Sequence, residues 1–279
     1  MPEIVPAPLA SILAFAFGLL IGSFLNVCIH RWPQDLSVVS PRSHCPSCEG
    51  LIAWYDNIPV LSWIILRARC RHCSQTISWR YPLVELLTAI CFCFFVAQLG
   101  LTPAALKYCI FAAMLIALVF SDFETLLLPD QFTIGGFLIG IAFAPFVPVP
   151  DTTFRFSAMI AGFHPGVRMT SLGEALLGSL LPAGSLWLLG WLFEKFRHKE
   201  GLGFGDVKMI AMVGAFLGLR GALLTVILGS VAGSVIGIVY IKLTRQDAGE
   251  AQLPFGSFLG AAALATAMAG QAWYWSLLG

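Results

Sequence analysis

Two aspartates at the ends of apolar segments are the residues best suited to catalysis in this sequence. Asp122 closes the run ALVFSDFETLLLPD, and Asp206 opens another within GLGFGDVKMIAMV. Acidic residues near membrane spans are costly and are functional candidates by default. If the two carboxylates are close they share one proton, so that one can deprotonate water while the other polarises a peptide carbonyl. Taken singly, Asp206 also fits a helix cap and Asp122 a hydrated interfacial residue.

Four nearby residues are expected to support this pair. Gly203 and Gly205 would allow a backbone bend before Asp206 and leave space for a substrate backbone. Asp130 follows Pro129, where a helix N-cap is the first interpretation and contact with the site the alternative. Lys208 would be a local counter-charge for Asp206 or extend to the membrane interface.

Four of the eight cysteines form two C-x-x-C pairs in the longest polar stretch. Cys45 and Cys48 are separated from Cys70 and Cys73 by 21 residues. Four thiolates on two tight turns would close a tetrahedral structural zinc site, and nearby arginines would favour the thiolates. Two disulfides are the alternative, which a reducing compartment disfavours. The remaining cysteines lie in or beside apolar segments, where thiols usually pack.

The composition is that of a polytopic membrane protein. Hydrophobic residues make up 58% of the 279-residue chain and charged residues only 11%, with a mean hydropathy of +0.85. Soluble domains carry roughly a quarter charged residues. The net charge of +1 gives no indication of nucleic-acid binding. The start MPEIVPAPLA lacks the cationic character of a signal peptide, so the first apolar run is interpreted as a retained helix.

Apolar segments of spanning length predict an all-α polytopic membrane protein of about eight transmembrane helices with a small zinc-binding cytoplasmic insertion. The segments are 8–29, 83–100, 103–121, 132–149, 172–193, 207–219, 221–241 and 254–277. The sixth is short, Arg220 and Gly221 separate it from the seventh, and we expect it to begin as a broken or partly sunken segment. Glycines at four-residue spacing predict close helix packing. They are Gly136/Gly140, Gly214/Gly218, Gly229/Gly233/Gly237 and Gly256/Gly260.

Basic residues predict the orientation. The stretches 30–82, 194–208 and 242–253 hold 12 of the 16 lysines and arginines, which places them in the cytoplasm and both termini outside. Both aspartates then lie at the cytoplasmic ends of their helices. The predicted domains are a first transmembrane helix at 1–29, a cytoplasmic zinc-binding loop at 30–82 and a helical bundle at 83–279.

Several motifs together resemble the bacterial type IV prepilin peptidases with N-methyltransferase activity. They are GSFLNVCIHRWP (22–33), PRSHCPSC (41–48), NIPVLSW (57–63), CRHC (70–73), ISWRYPLVE (77–85), SDFETLLLPD (121–130), GFGDVK (203–208) and LPFGSFL (253–259). The resemblance covers nearly the whole chain. One position departs from it, because Ala68 stands in RARC where glycine is expected.

The resemblance implies an intramembrane aspartic endopeptidase of the bacterial inner membrane. Such enzymes remove the short basic leader of prepilins and pseudopilins in type IV pilus and type II secretion systems. They then methylate the new N-terminal residue with S-adenosylmethionine. Asp122 and Asp206 would be the catalytic pair, and Cys45, Cys48, Cys70 and Cys73 the zinc ligands.

The methyltransferase site is the least determined part of the sequence. No glycine-rich nucleotide loop is found, so we expect the cofactor between the zinc loop and adjoining helix ends. Glu85, Asn26 and Arg31 are candidates, with helix packing and interfacial anchoring as the alternatives. Without the resemblance, an ion-coupled transporter or a zinc-bearing scaffold of a secretion assembly would remain. A transporter would favour an inverted repeat, and no convincing one is found.

Overall fold

The computed structural model describes residues 6–197, 203–244 and 253–278, and in this part of the chain the fold is entirely helical. Two isolated β-bridges, in the cysteine loop, are its only extended pairings. The helices are α1 (Ala7–Arg31), α2 (Leu61–Ile65), α3 (Arg80–Leu99), α4 (Pro103–Thr125), α5 (Asp130–Phe143), α6 (Thr153–Ile160), α7 (Val167–Arg197), α8 (Phe204–Thr244) and α9 (Phe255–Leu278).

The helices confirm the predicted class of membrane protein. Among the described residues, α1, α3, α4, α7 and α8 are long and apolar enough to cross a bilayer, and α5 is a shorter apolar helix. Each of the eight predicted segments falls mainly on a helix, with the sixth and seventh joined in α8. Eight crossings remain a prediction. Lys199 and Arg245, which entered the charge argument, lie outside the described residues.

Two compact units divide the chain, at residues 1–117 and 118–279. In the first, α1 packs against α3 through Gly18 and Gly22. A methyl group on Gly18 would lie 2.6 Å from the Cα of Ala89, and one on Gly22 equally close to the Cα of Glu85. This glycine pair has the spacing of the predicted series but was not included in it.

Glycines also set the helix spacing in the second unit. A methyl group on Gly214 of α8 would lie 1.9 Å from the carbonyl oxygen of Gly178 in α7. On the later part of α8, Gly229 and Gly233 contact Leu259 and Phe258 of α9 in the same way. The predicted role of glycine spacing in close helix packing is confirmed at these positions.

The sixth and seventh segments are separated at Gly218, two residues before the predicted Arg220, where φ of 75° and ψ of −174° interrupt α8. The start of the sixth segment, predicted to be broken, is regular helix. The carboxylate of Asp151 accepts hydrogen bonds from the backbone at this break in α8. Its Oδ2 accepts the Arg220 N–H at 2.9 Å, and its Oδ1 accepts the Thr152 N–H at 2.7 Å and the Thr153 hydroxyl at 2.9 Å. Asp151 therefore caps both the second half of α8 and the start of α6.

Burial opposes ionisation of Asp151, but the hydrogen bonds from Arg220, Thr152 and Thr153 outweigh it and hold the pKa of this carboxyl below its usual value. A lowered pKa stabilises the fold at pH values above the unfolded-state pKa of about 3.9. That contribution disappears as the pH falls through the lower folded-state pKa.

Asp151→Asn should lower the melting temperature in detergent at neutral pH by roughly 4–8 °C, because a charge-assisted acceptor worth about 2 kcal/mol is lost. The difference from the parent should shrink as the pH falls below about 4. Asp35→Asn is the matched control at an exposed aspartate. Equal melting temperatures for Asp151→Asn and the parent at pH 7 would contradict this capping role.

Candidate active site and metal centre

The two aspartates that the sequence singles out lie at helix ends within the second unit. Asp122 belongs to the last turn of α4, and Asp206 is the third residue of α8. Both side chains are buried, with 5% and 8% of their surface exposed, and the two carboxylates interact electrostatically. Asp206 is not a helix N-cap, because Gly203 precedes the first helical residue. The joint catalytic role of the two residues stays a prediction.

Leu128 lies beside both halves of this site. A methyl group on Gly205 would be 3.1 Å from its Cβ, and one on Gly256 would be 3.0 Å from its Cδ1. The Gly256 methyl would also lie 3.1 Å from Cγ of Asp122. Gly256 therefore borders the Asp122 carboxylate, whereas the space beside Gly205, which was predicted to admit a substrate backbone, is occupied by Leu128.

The predicted backbone bend at Gly203 and Gly205 is wrong. Neither residue has a positive φ, and Gly205 lies inside α8. The reason for glycine here is space, since Leu128 packs against Gly205 and Oδ2 of Asp206 lies 3.4 Å from a methyl group placed on Gly203.

A hydrogen-bond partner of Asp122 comes from the far end of the chain. The backbone N–H of Ser257 donates to Asp122 Oδ2 at 2.6 Å, and the Ser257 hydroxyl lies 3.0 Å from the same oxygen. The sequence reasoning missed this residue. The available signal was a polar serine between apolar residues in LPFGSFL, where α9 begins.

Lys208 and Asp130 form an ion pair that joins the starts of α8 and α5. The Lys208 ammonium also lies 5.5 Å from the centre of the Phe204 ring. Lys208 is thus a counter-charge for Asp130, whereas the two predicted roles were a counter-charge for Asp206 and an extension to the membrane interface. The N-cap prediction for Asp130 is also wrong, because Pro129 occupies that position and Asp130 is the first helical residue.

A cavity of roughly 410 Å³ lies between α5, α7 and α8, lined in part by Val207, Lys208 and Ala211. Helix residues advance by about 100° each, so Asp206 lies about 160° around α8 from Lys208. The cavity therefore opens on another face of α8 than the one that carries the carboxylate.

The four predicted metal ligands converge. The Sγ atoms of Cys45, Cys48, Cys70 and Cys73 all lie within 4.8 Å of one another, and none is in a disulfide. Cys45 and Cys73 are 3.8 Å apart at sulfur. A tetrahedral site with Zn–S bonds of about 2.3 Å requires sulfur separations of about 3.8 Å. The donor set therefore fits a closed four-thiolate zinc site.

Each C-x-x-C pair forms the same turn. The N–H of Cys45 donates to Gly50 O at 2.9 Å, and the N–H of Cys70 donates to Gln75 O at 2.8 Å, five residues on in each case. The residue after each second cysteine, Glu49 or Ser74, has a positive φ. The two turns are thus a repeat that presents two thiols each.

One loop arginine has a different partner from the predicted one. Arg71 donates two hydrogen bonds to the Asp56 carboxylate, at 2.7 and 2.6 Å. Its positive charge is therefore not available to the thiolates alone. These bonds lower the pKa of the Asp56 carboxyl. The pair ties the second cysteine turn to the segment between the two turns.

The three methyltransferase candidates each make contacts that organise the first unit. Glu85 Oε2 accepts the Val60 N–H at 2.7 Å, and Asn26 donates to the Tyr81 carbonyl at 3.1 Å. The buried Arg31 guanidinium donates to the carbonyls of Ser37 and Pro41, at 2.8 and 2.7 Å, where the loop leaves α1. These are the contacts of the packing and anchoring alternatives, and a role in methyl transfer stays a prediction.

Ala68 adopts a left-handed conformation, with φ of 57°, just before Cys70. Left-handed geometry costs a residue with a Cβ about 1–2 kcal/mol. The departure from the family pattern therefore falls where the backbone favours glycine.

Ala68→Gly should stabilise the loop by about 1 kcal/mol, seen as slower hydrogen exchange at residues 66–77. Ala53→Gly is the matched control, because Ala53 is extended with φ of −67° and gains nothing from glycine. Faster exchange in Ala68→Gly than in the parent would rule out strain at this position.

Comparisons with known proteins agree with the site. Residues 16–99 match the family described as bacterial peptidase A24 N-terminal domain, and residues 109–238 match the type IV leader peptidase family. No solved structure matches the chain.

Several relatives carry the name prepilin leader peptidase/N-methyltransferase. The protein of Myxococcus xanthus is 39% identical over 86% of this chain and 65% of its own length. That of Aeromonas salmonicida is 35% identical over 95% of this chain and 94% of its own. That of Stutzerimonas stutzeri is 33% identical over 91% and 89%. The chain therefore belongs to the prepilin leader peptidase/N-methyltransferase family.

Proposed function

We propose that this protein removes the leader peptide of type IV prepilins and pseudopilins and methylates the new N-terminal residue. The peptidase assignment is carried by one observation: two buried carboxylates, from α4 and α8, interact electrostatically in a chain of this family. A transporter or a scaffold is not favoured, because the family's members are named for enzymatic activities.

Asp122 and Asp206 would share the work of hydrolysis. One carboxylate takes a proton from water as the water oxygen bonds to the scissile carbonyl carbon, and the protonated partner gives its proton to the carbonyl oxygen. As the tetrahedral intermediate collapses and the C–N bond breaks, the leaving nitrogen takes up the proton first removed from water. One hydroxyl of the intermediate returns its proton to the second carboxylate as the new carbonyl forms. The pair ends in its starting protonation state.

The position of Asp122 and Asp206 relative to the membrane supports this substrate class. Both aspartates are at helix ends that the basic residues assign to the cytoplasmic face of the inner membrane. A prepilin is an apolar membrane helix whose cationic leader lies in the cytoplasm, so its scissile bond reaches this depth. The cut is expected at this face of the membrane.

For the second activity, Cys45, Cys48, Cys70 and Cys73 would hold a structural zinc ion. A four-thiolate site has no open coordination position, so the metal would fold the loop and leave the reaction to other groups. S-adenosylmethionine would supply the methyl group. The residues that bind S-adenosylmethionine are expected around this loop, and Glu85, Asn26 and Arg31 are the proposed candidates.

Asp122→Asn and Asp206→Asn should each reduce prepilin cleavage at least about a thousandfold, since neither half of a proton-sharing pair acts alone. Leader removal is measured by gel shift with the purified protein in detergent. Glu124→Gln, at an exposed acid on the same helix as Asp122, is the control and should keep normal cleavage. Near-normal cleavage by either aspartate variant would refute the pair.

Cys70→Ser, or removal of the metal with a chelator, should lower zinc content and impair methylation more than cleavage, because the catalytic aspartates lie outside the loop. Zinc per chain and both activities are measured on the same preparation. Cys93→Ser, at a cysteine outside the cluster, should retain zinc. Equal loss of both activities would show that the loop also shapes the peptidase site.

A further inference from the structure

Among the described residues, Asp122 accepts hydrogen bonds on only one of its two carboxylate oxygens. The Ser257 N–H and hydroxyl both approach Oδ2, at 2.6 and 3.0 Å. The carboxylate is 5% exposed and Ser257 8% exposed, so water competes little for this oxygen. Oδ1 has no donor among the described residues.

The N–H donor is one that the fold supplies in any case. Ser257 is the third residue of α9, and the first N–H groups of a helix lack partners in their own helix. Its N–H also lies 3.2 Å from the Pro254 carbonyl, the longer of its two contacts. A carboxylate at a helix N-terminus is further stabilised by the aligned peptide dipoles.

The hydroxyl adds a second, adjustable contact. Ser257 Oγ lies 2.9 Å from the Val119 carbonyl oxygen, one helical turn before Asp122, and 3.0 Å from Asp122 Oδ2. A hydroxyl has one proton, so it donates to one of these oxygens at a time. It can therefore keep a contact with Oδ2 while the carboxylate gains or loses a proton.

Gly256 makes this geometry possible. A methyl group at that position would lie 3.1 Å from both Cγ and Oδ2 of Asp122, so the carboxylate would have to shift to admit it. The absence of a side chain lets the start of α9 approach the carboxylate directly. The segment LPFGSFL thereby acquires a role that the sequence analysis did not give it.

We propose that Ser257 is a positioning residue that fixes the rotation of the Asp122 carboxylate, so that Oδ1 is the oxygen that exchanges protons in the reaction. This rests on the proposed peptidase function. Because Oδ2 already accepts the Ser257 N–H, and the hydroxyl can donate to the same oxygen, the proton of a neutral Asp122 would lie on Oδ1. Ser257 itself does not contact the substrate.

The test uses the full-length protein in detergent with a prepilin precursor. Ser257→Ala removes the hydroxyl and keeps the N–H, so kcat should fall about tenfold, in line with one hydrogen bond to a charged group, while KM stays unchanged. Ser257→Thr restores the hydroxyl and should recover kcat to within about threefold of the parent. A purely structural role would move the melting temperature and would not give this kcat-specific loss and recovery.

Ser179→Ala is the matched control, because Ser179 is a fully buried serine whose hydroxyl donates within its own helix, to the Ala175 carbonyl at 2.6 Å. It should leave kcat unchanged. Should Ser257→Ala not fold, Ser257→Cys replaces the hydroxyl with a weak donor of similar size, and a kcat reduced at least about threefold is expected.

Asp122→Asn separates the two levels of the proposal. If it is inactive and Ser257→Ala keeps the parent kcat, the positioning role is overturned and the aspartate pair stands. If Asp122→Asn cleaves normally, the peptidase assignment fails and the role of Ser257 fails with it. A lowered kcat in Ser257→Ala that threonine does not recover also overturns the positioning role.

Discussion

The stabilisation of a buried carboxylate by the start of a helix is the interaction on which the peptidase site depends. Removing an ionised carboxylate from water costs several kcal/mol unless hydrogen bonds replace the lost hydration. At Asp122 this compensation comes from Ser257, at the N-terminus of α9, which approaches closely because Gly256 has no side chain. Asp206 is also buried and interacts electrostatically with this carboxylate.

Close packing between helices is the wider condition for this arrangement. Gly178, Gly214 and Gly229 have no side chain, so α7, α8 and α9 can pack closely enough for their backbones to approach one another. The break at Gly218, capped by Asp151, ends the segment that carries Asp206 and starts a new helix direction. A membrane bundle lacks a strong hydrophobic drive between its helices, so such contacts determine where α8 lies.

The loop of the first unit uses a different principle. It has few buried apolar side chains, and its two cysteine turns, the Arg71–Asp56 pair and the Glu85–Val60 contact define its shape. A metal bound by four thiolates would contribute folding free energy that this segment cannot obtain from a core. The helices thus obtain their order from close packing, and the loop obtains its order from polar contacts that a bound metal would complement.

Much of this could be predicted from the sequence, because the decisive signals are local. Hydropathy located the helices, and cysteine spacing located the cluster of four thiols. The rarity of acidic residues in apolar segments singled out Asp122 and Asp206, both of which are buried at helix ends. Ser257 was missed because its role depends on a contact across 135 positions of sequence, which no local pattern contains. Lys208 was paired with the wrong aspartate for the same reason, since proximity in sequence favoured Asp206 over Asp130.

The most direct test of the account is the intact mass of a prepilin precursor after incubation with the purified protein and S-adenosylmethionine. The account predicts a product that has lost its leader and gained the mass of one methyl group. Leader loss without methylation would keep the aspartate pair and remove the proposed second activity. An unchanged precursor, with the protein folded and zinc-loaded, would contradict the central claim.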